Sequence, residues 1–239
     1  MELYPHQIDM SNKMIEREES DGRIHVFNNT YIKSNVGIYG DVPGYGRKRT
    51  ILEMINMKRG RNGGNVHMQY VSIGGIGSGA QIVKYREEAC IHIRASLIVT
   101  SRYNMDDWEK ELGNYNMDVC MLRKKTDIRV ERIESCDVIV CGHHVYNDLA
   151  REISKYTCKR FVYYENDEIY ISNMKNVNAQ FYWFVTSDPM CSLGKKQKTS
   201  FIGNLFSIFM KHRDDYILKK ITLKNDEKVL KESYNIPEI

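Results

Sequence analysis

What most constrains the fold of this chain is a series of short apolar runs, each followed by a stretch with helical period. Val36-Gly-Ile-Tyr39, Ile91 to Thr100, Asp137 to Cys141, Arg160 to Tyr164 and Phe181 to Val185 read as buried strands. A polar-faced helix, His6 to Glu19, precedes them. Thr50 to Lys58, Met105 to Leu112 with Trp108 on its apolar side, and His144 to Ser154 read as helices between them. Strands that alternate with helices fit an α/β domain whose central sheet is mainly parallel and covered on both faces. The pattern argues against an all-β fold or a helical bundle. Further on, Phe201 to Lys211 reads as an amphipathic helix and Tyr216 to Leu223 as a strand. Residues 58–90 break the rhythm: they are glycine-rich, basic at the start and poorly periodic, and read as a surface insertion or hairpin.

A chain of 239 residues is long enough to bury the core of one large α/β domain. Hydrophobic residues at 42% and charged residues at 28% are ordinary globular composition, which excludes disorder. A net charge of +4 suits an acidic partner such as nucleic acid, and a balanced surface gives the same number. Cysteines 90, 120, 136, 141, 158 and 191 form no CxxC pair, so a structural zinc site is unsupported. Cys136 and Cys141 flank the apolar run Asp137-Val-Ile-Val140, where a thiol packs as a small hydrophobe, a usage that suits a reducing compartment. Met1-Glu-Leu-Tyr-Pro5 carries no signal peptide, and no apolar run reaches membrane-spanning length. The sequence therefore reads as soluble and intracellular.

The sharpest local signal is Gly37-Ile-Tyr-Gly-Asp-Val-Pro-Gly-Tyr-Gly-Arg-Lys-Arg-Thr50, entered by a strand and left by a helix. Glycines allow successive backbone N–H groups to point at phosphate oxygens, and the helix N-terminus adds partial positive charge. A tight strand-to-helix turn without a ligand accounts for the segment equally well. A phosphate-binding loop ends Gly-Lys-Ser/Thr, the lysine reaching phosphates and the hydroxyl holding Mg²⁺. Here Gly46 is followed by Arg47 and Lys48. Arginine keeps the charge with a different shape, and lysine has no lone pair to offer while charged. A one-residue insertion would restore Lys48 to its place but leave Arg49 at the hydroxyl position. A second glycine-rich stretch, Gly74-Gly-Ile-Gly-Ser-Gly79, has no clear helix after it and reads as a flexible turn.

Several further segments lie in an informative order. They are Leu3-Tyr-Pro-His-Gln7, Asn35-Val-Gly-Ile-Tyr-Gly-Asp41, Ser96-Leu-Ile-Val-Thr-Ser101 with Trp108-Glu-Lys-Glu111, and Asp137-Val-Ile-Val-Cys-Gly142 with Tyr146. Phe161-Val-Tyr-Tyr-Glu-Asn-Asp-Glu168, Phe181-Tyr-Trp-Phe-Val-Thr-Ser-Asp-Pro189 and the tail from Asn225 to Pro237 follow. This order resembles the first, ATP-binding RecA-like P-loop domain of SNF2-like superfamily 2 helicases, in the versions found in large DNA viruses of eukaryotes, over nearly the whole of residues 1–239. The resemblance implies that Gln7 contacts adenine. It assigns Asp41, Val42, Pro43, Gly44, Tyr45, Gly46, Arg47 and Lys48 to the phosphate loop, motif I. Ser96 to Ser101 with Trp108 to Glu111 becomes motif Ia, whose loop touches the nucleic-acid backbone. Tyr164, Glu165, Asn166 and Asp167 fall on motif II, and Thr186, Ser187 and Asp188 on motif III.

Within that family Tyr164 stands where an aspartate holds Mg²⁺, Glu165 matches the glutamate that polarises the attacking water, and Asp188 replaces a threonine. The alternative for motif II is a plain acidic loop after a buried strand. Phosphoryl transfer depends on positioning and on neutralising phosphate charge, so losing both metal contacts strikes its central requirement. The chain also stops where a second lobe would begin, which leaves no arginine finger in cis. The resemblance thus implies a degenerate ATPase, with ATP bound weakly or not at all and Mg²⁺ unsupported, serving as a module for nucleic acid (DNA or RNA) or a protein partner such as a helicase, a transcription factor or a virion component. An active lobe completed by another chain, or a packaging protein without any ligand, are the alternatives. A virion or a cytoplasmic viral factory is the implied place of work. Cys141-Gly-His-His144 reads as a strand-to-helix turn more readily than a metal cluster, and Lys195-Lys-Gln-Lys198 with Lys211, His212 and Arg213 as solvated loop charges.

Overall fold

The computed structural model describes residues 3–20, 23–27, 30–59, 69–71, 84–86, 91–189 and 215–234. In chain order these form α1 (Pro5–Glu19), an antiparallel pair β1 (Arg23–Phe27) and β2 (Thr30–Lys33), β3 (Val36–Tyr39) and α2 (Arg47–Met57). A second antiparallel pair, β4 (Gln69–Val71) and β5 (Lys84–Arg86), stands apart from the main sheet. Then come β6 (Ile91–His92), β7 (Ser96–Thr100), α3 (Met105–Leu112), β8 (Val119–Leu122), α4 (Val130–Ser135), β9 (Val138–Gly142) and α5 (Tyr146–Glu152). The chain continues through β10 (Tyr156–Tyr164), β11 (Asn178–Val185), α6 (Asp215–Ile221), β12 (Thr222–Leu223) and α7 (Glu227–Ser233). The predicted helix at Phe201 to Lys211, the loop at Gly74 and the basic cluster at Lys195 lie outside the described residues.

Eight strands make one sheet in the order β12-β3-β11-β10-β7-β9-β8, with β6 also on β10, and every pairing in it is parallel. Parallel strands require crossovers, and the helices supply them on both faces. Because side chains alternate along a strand, Leu97 and Val99 face one layer and Ile98 the other; Phe161 and Tyr163 likewise oppose Val162 and Tyr164. One core layer packs Ile133 of α4, Tyr146 and Leu149 of α5, and Leu218 and Ile221 of α6. The other packs Met10 and Met14 of α1, Ile51 and Ile55 of α2, and Trp108 and Leu112 of α3.

Two sequence expectations need correction. The strand expected over Ile91 to Thr100 is two strands along the same neighbour. Residues 93–95 leave the ladder, yet Ile93 N–H donates to Thr157 O at 3.0 Å and Lys159 N–H to Ala95 O at 2.9 Å, which keeps the line. The strand expected over Tyr216 to Leu223 begins as helix α6, and only Thr222–Leu223 extends. Buried Leu218 and Ile221 are one helical turn apart with exposed Lys219 and Lys220 between them, a spacing with period 3.6 rather than 2. The tail from Asn225 forms α7, capped by Asp226, whose carboxylate accepts from Lys228 N–H at 3.0 Å.

One contact packs two central strands together, and another pins the sheet to α1. Gly37 of β3 lies under the Trp183 indole so closely that a Cβ would stand 2.4 Å from it. Glu18 of α1 takes a bidentate pair from Arg160 of β10 at 2.7 and 2.6 Å and a hydrogen bond from Trp183 Nε1 at 2.9 Å.

Candidate functional site

The sheet register builds the site. Val185 pairs with Tyr39 and Tyr164 with Val185, so β3, β11 and β10 end side by side at one level. The chain leaves those ends as the loops Gly40–Gly46, Thr186–Asp188 and Glu165–Glu168, and the crevice beyond the carboxyl ends of parallel strands is where α/β folds place ligands. All of the sequence-assigned residues of motifs I, II and III therefore gather at one place, with Gln7 arriving from α1.

The first loop is a cradle of free backbone donors. Gly44 (φ 93°) and Gly46 (φ 79°) adopt left-handed geometry, and Gly46 caps α2 without any side-chain cap. Among the described residues, no N–H from Val42 to Arg49 donates to a protein acceptor, whereas the flanking Gly40 and Thr50 N–H groups bond Leu223 O and Gly46 O. Pro43 and Gly44 are exposed, and Val42, Tyr45 and Gly46 half-buried. The loop is propped from below. Gln7 is fully buried; its Oε1 accepts from Tyr4 N–H at 3.1 Å and its Nε2 donates to Tyr45 O at 3.4 Å. His6 Nε2 also meets Tyr45 O, at 3.0 Å, and since a carbonyl only accepts, that nitrogen carries hydrogen.

Asp41 does not face the cradle's opening. It is fully buried and receives the Tyr39 hydroxyl at 3.1 Å, the Asn225 N–H at 2.6 Å and the Asn225 amide at 2.8 Å. Its role is to tie the loop to the segment before α7.

The three cations that open α2 are each met by an acid. Arg47 is 5% exposed; its Nη2 lies 3.4 Å from Glu165 Oε1, while its Nη1 is buried with no partner. Lys48 Nζ donates to Asp107 Oδ2 at 2.8 Å and Asn104 Oδ1 at 3.3 Å, holding the Asp107 carboxyl below its ordinary pKa. Arg49 Nε donates to Glu111 at 3.0 Å. Between Arg47 and Lys48 lies the Tyr164 ring, 5.5 Å from the Arg47 guanidinium carbon and 5.9 Å from Lys48 Nζ, with Trp108 against it edge-on at 5.1 Å. Burial pushes the Tyr164 phenol well up, so it stays protonated.

Glu165 has a left-handed backbone (φ 54°), a strained choice for a side chain of its kind. Both of its oxygens are engaged, one by Arg47 and the other by Asn104 Nδ2 at 2.6 Å. Burial raises its pKa and Arg47 opposes that shift. Asp167 Oδ2 accepts from Ser187 N–H at 3.3 Å and Ser187 Oγ at 2.9 Å, which joins motif II to motif III. Thr186 N–H donates to Tyr39 O, and its hydroxyl bonds the Asp188 backbone, so Asp188 is placed by its main chain. Asp167 Oδ1 and both amide atoms of the buried Asn166 are left without partners.

Mg²⁺ does not fit this arrangement. The two positions that the sequence resemblance assigns to its protein ligands carry an ammonium and a neutral phenol, Asp41 is spent on the tail, Glu165 on Arg47 and Asn104, and Asp167 Oδ2 on Ser187.

At the same end of the sheet, beyond β7, β8 and β9, a cleft of about 420 Å³ is lined by Arg102, Tyr103, Asp106, Arg123, Lys124 and His144. Tyr103 is 92% exposed at its rim. Cys141-Gly-His-His144 forms the turn from β9 toward α5, with His144 Nε2 on Arg123 O at 2.9 Å.

The chain is similar over 94% of its length to the Sulfolobus solfataricus SWI2/SNF2 ATPase core in complex with dsDNA, at a TM-score of 0.56 and 13% identity. It is similar over 96% of its length to the Sulfolobus solfataricus SWI2/SNF2 ATPase core domain, at 0.52 and 12%. The fold is RecA-like. This RecA-like lobe spans 44% and 45% of the two archaeal chains. No family model matches the sequence, and no curated protein matches it. Among the described residues of the lobe, no helix is long and apolar enough to cross a membrane.

Sequence reasoning placed the three loops and missed Asn104, Asp107 and Asn225, which engage Lys48, Glu165 and Asp41. Asn104 and Asp107 do open the helix read as motif Ia, and the acidic first turn of α3 was the available signal. Nothing in the sequence linked Asn225 to a residue 184 positions earlier.

Proposed function

We propose that this chain is a superfamily 2, SNF2-like RecA lobe that does not hydrolyse ATP and works as a nucleic-acid-binding module, in concert with a protein partner such as a helicase or a transcription or virion component. The observation that carries this reading is the Tyr164 ring between Arg47 and Lys48, at the place where catalysis needs a carboxylate and a hydroxyl around Mg²⁺. Glu165, the remaining catalytic candidate, is clamped by Arg47 and Asn104 and cannot orient a water without giving up one of them. The cleft at Arg102, Tyr103, Arg123, Lys124 and His144 supports the binding part: cations to meet phosphates, and an exposed ring to stack on a base. A viral source, and with it a virion or cytoplasmic factory location, belongs to this reading through the sequence resemblance. A second reading, an active lobe completed by another chain, draws on the lobe's span of under half the archaeal ATPase cores.

The test pairs ATP turnover with nucleic-acid binding. With Mg²⁺, ATP and duplex or single-stranded DNA, phosphate release stays at the no-protein rate. Fluorescence anisotropy shows DNA binding that R102A/K124A weakens about tenfold at low salt, with the log–log salt slope shallower by about 2. DNA-stimulated hydrolysis establishes the second reading instead, and salt-insensitive or unaltered binding in the double variant removes the cleft from the mechanism.

A further inference from the structure

We propose that Lys48 takes the place of the divalent cation, so that the cradle accepts a polyphosphate group, such as the triphosphate of a nucleotide, free of Mg²⁺. This rests on reading Val42 to Arg49 as a phosphate cradle, and it turns the two metal-site substitutions from a loss into a matched pair.

Three observations point to a ligand there. The backbone N–H groups of the loop and of the first turn of the 11-residue helix α2 have no acceptors among the described residues. Arg47, 5% exposed, keeps Nη1 buried and unpartnered where α2 begins beside the end of β10. Asn166, 2% exposed, leaves both polar atoms of its amide unpartnered in the adjoining turn. A buried donor without an acceptor is costly, and an anion in the cradle relieves the one at Arg47 while it accepts from the open N–H groups of the loop.

The pairing of Lys48 with Tyr164 decides the charge of that ligand. A carboxylate at position 164 would add a third acid to Glu165 and Asp107, which already pair with Arg47 and Lys48. The Tyr164 ring contacts both cations and adds no negative charge of its own. Lys48 Nζ spends two protons on Asp107 and Asn104, and the third has no partner among the described residues. An ammonium with a free proton beside a helix N-terminus does for phosphate oxygens what a bound dication does, as a fixed point charge. The same ammonium repels a second cation, and the carboxylate beside it, Asp107, is already paired with it and is not free to hold a metal, so Mg²⁺ carried in by the ligand is a disadvantage.

The experiment titrates the full chain with ATP by calorimetry, once in EDTA and once in saturating Mg²⁺. Binding is expected in EDTA, with affinity falling about tenfold or more when Mg²⁺ is present. K48T is expected to lose about tenfold or more in EDTA, K48R to retain most of the affinity, and K48T/Y164D to bind more tightly with Mg²⁺ than without it, with melting curves confirming that each variant is folded. Tighter binding of Mg·ATP than of free ATP by the unaltered chain overturns the proposal, as does a folded K48T that binds ATP unchanged in EDTA. Absence of ATP binding in both conditions, with DNA binding intact, overturns this inference and leaves the function proposed above standing. Mg²⁺-dependent hydrolysis defeats both.

Discussion

His143 shows how one residue in the turn after β9 carries a pH dependence that its neighbours do not. Burial lowers its pKa from 6.5, the His144 ring 5.6 Å away adds to the shift, and a hydrogen bond of the ring to the Thr100 main chain opposes it. Its Nδ1 is buried without a partner, so a second ring proton would have no acceptor. The folded-state pKa is below the unfolded one, and in the window between them the unfolded chain binds more protons. The contribution to stability is therefore complete above about pH 6.5 and is lost as pH falls through that window toward the folded-state pKa. H143Q is expected to flatten this part of the profile. Urea midpoints at pH 7.5 and pH 5 measure it: the wild type should lose more on acidification than the variant, and equal losses would show that the ring is hydrated in the folded state.

Among elements, α1 is held to the sheet by one buried ion pair in addition to its apolar stripe of Met10, Met14 and Ile15. Glu18 and Arg160 have side chains 9% and 0% exposed; Trp183 Nε1 also donates to Glu18, and Arg160 Nη1 to Lys58 O at 2.8 Å beyond the end of α2. Three elements thus meet at one carboxylate, and the end of α2 joins them through Arg160. Removing a single member of a buried pair leaves the other charge stranded, so E18A should cost about 3–5 kcal/mol in urea unfolding. A loss below about 1 kcal/mol would mean that water enters and solvates Arg160.

This pin was not legible in the sequence, because Glu18 looks like one more charge on a polar-faced helix. The strands were legible for the opposite reason. Val36–Tyr39 and Phe181–Val185 are buried on both faces and leave no polar position to obscure them. Asn178 and Gln180, polar and not buried, flank the buried Ala179 at the start of β11 and were left out of the expected strand. Tyr216 to Leu223 misled because its apolar content was read without its spacing: Leu218 and Ile221, three apart around two lysines, share a face only in a helix. Of the site, the three loops and Gln7 were readable from order and residue type. Their internal pairings were not, since a sequence shows that Lys48 is a cation but not that Asp107 and Tyr164 surround it.

At the scale of the molecule, the two ends of the described chain close over the phosphate loop. Tyr4 stacks on Tyr234 at 4.1 Å, Tyr45 of the loop meets Tyr234 edge-on at 5.3 Å, and His6 Nδ1 meets Ser233 Oγ at 2.8 Å. Beneath them Asn225 supplies two of the three hydrogen bonds that satisfy the buried Asp41 carboxylate. Because β12 pairs with β3 up to Leu223 and Tyr39, the sheet itself delivers Asn225 to Asp41. The loop's shape is thus held by a segment at the far end of the sequence, and whatever moves that segment moves the cradle. Replacing Asn225 by Ala removes the side-chain donor but keeps the backbone one, so N225A should cost about 1.5–3 kcal/mol, the range for a hydrogen bond to a charged group. The loss should be local as well as global: amide exchange of Val42 to Arg49 is expected to speed up, while the amides of β7 and β9 keep their protection relative to the new stability. S233A, which cuts the His6 contact and leaves Asp41 fully bonded, should change exchange in the loop far less. If N225A and S233A loosen the loop equally, α7 acts on the cradle through the aromatic stack and not through Asp41.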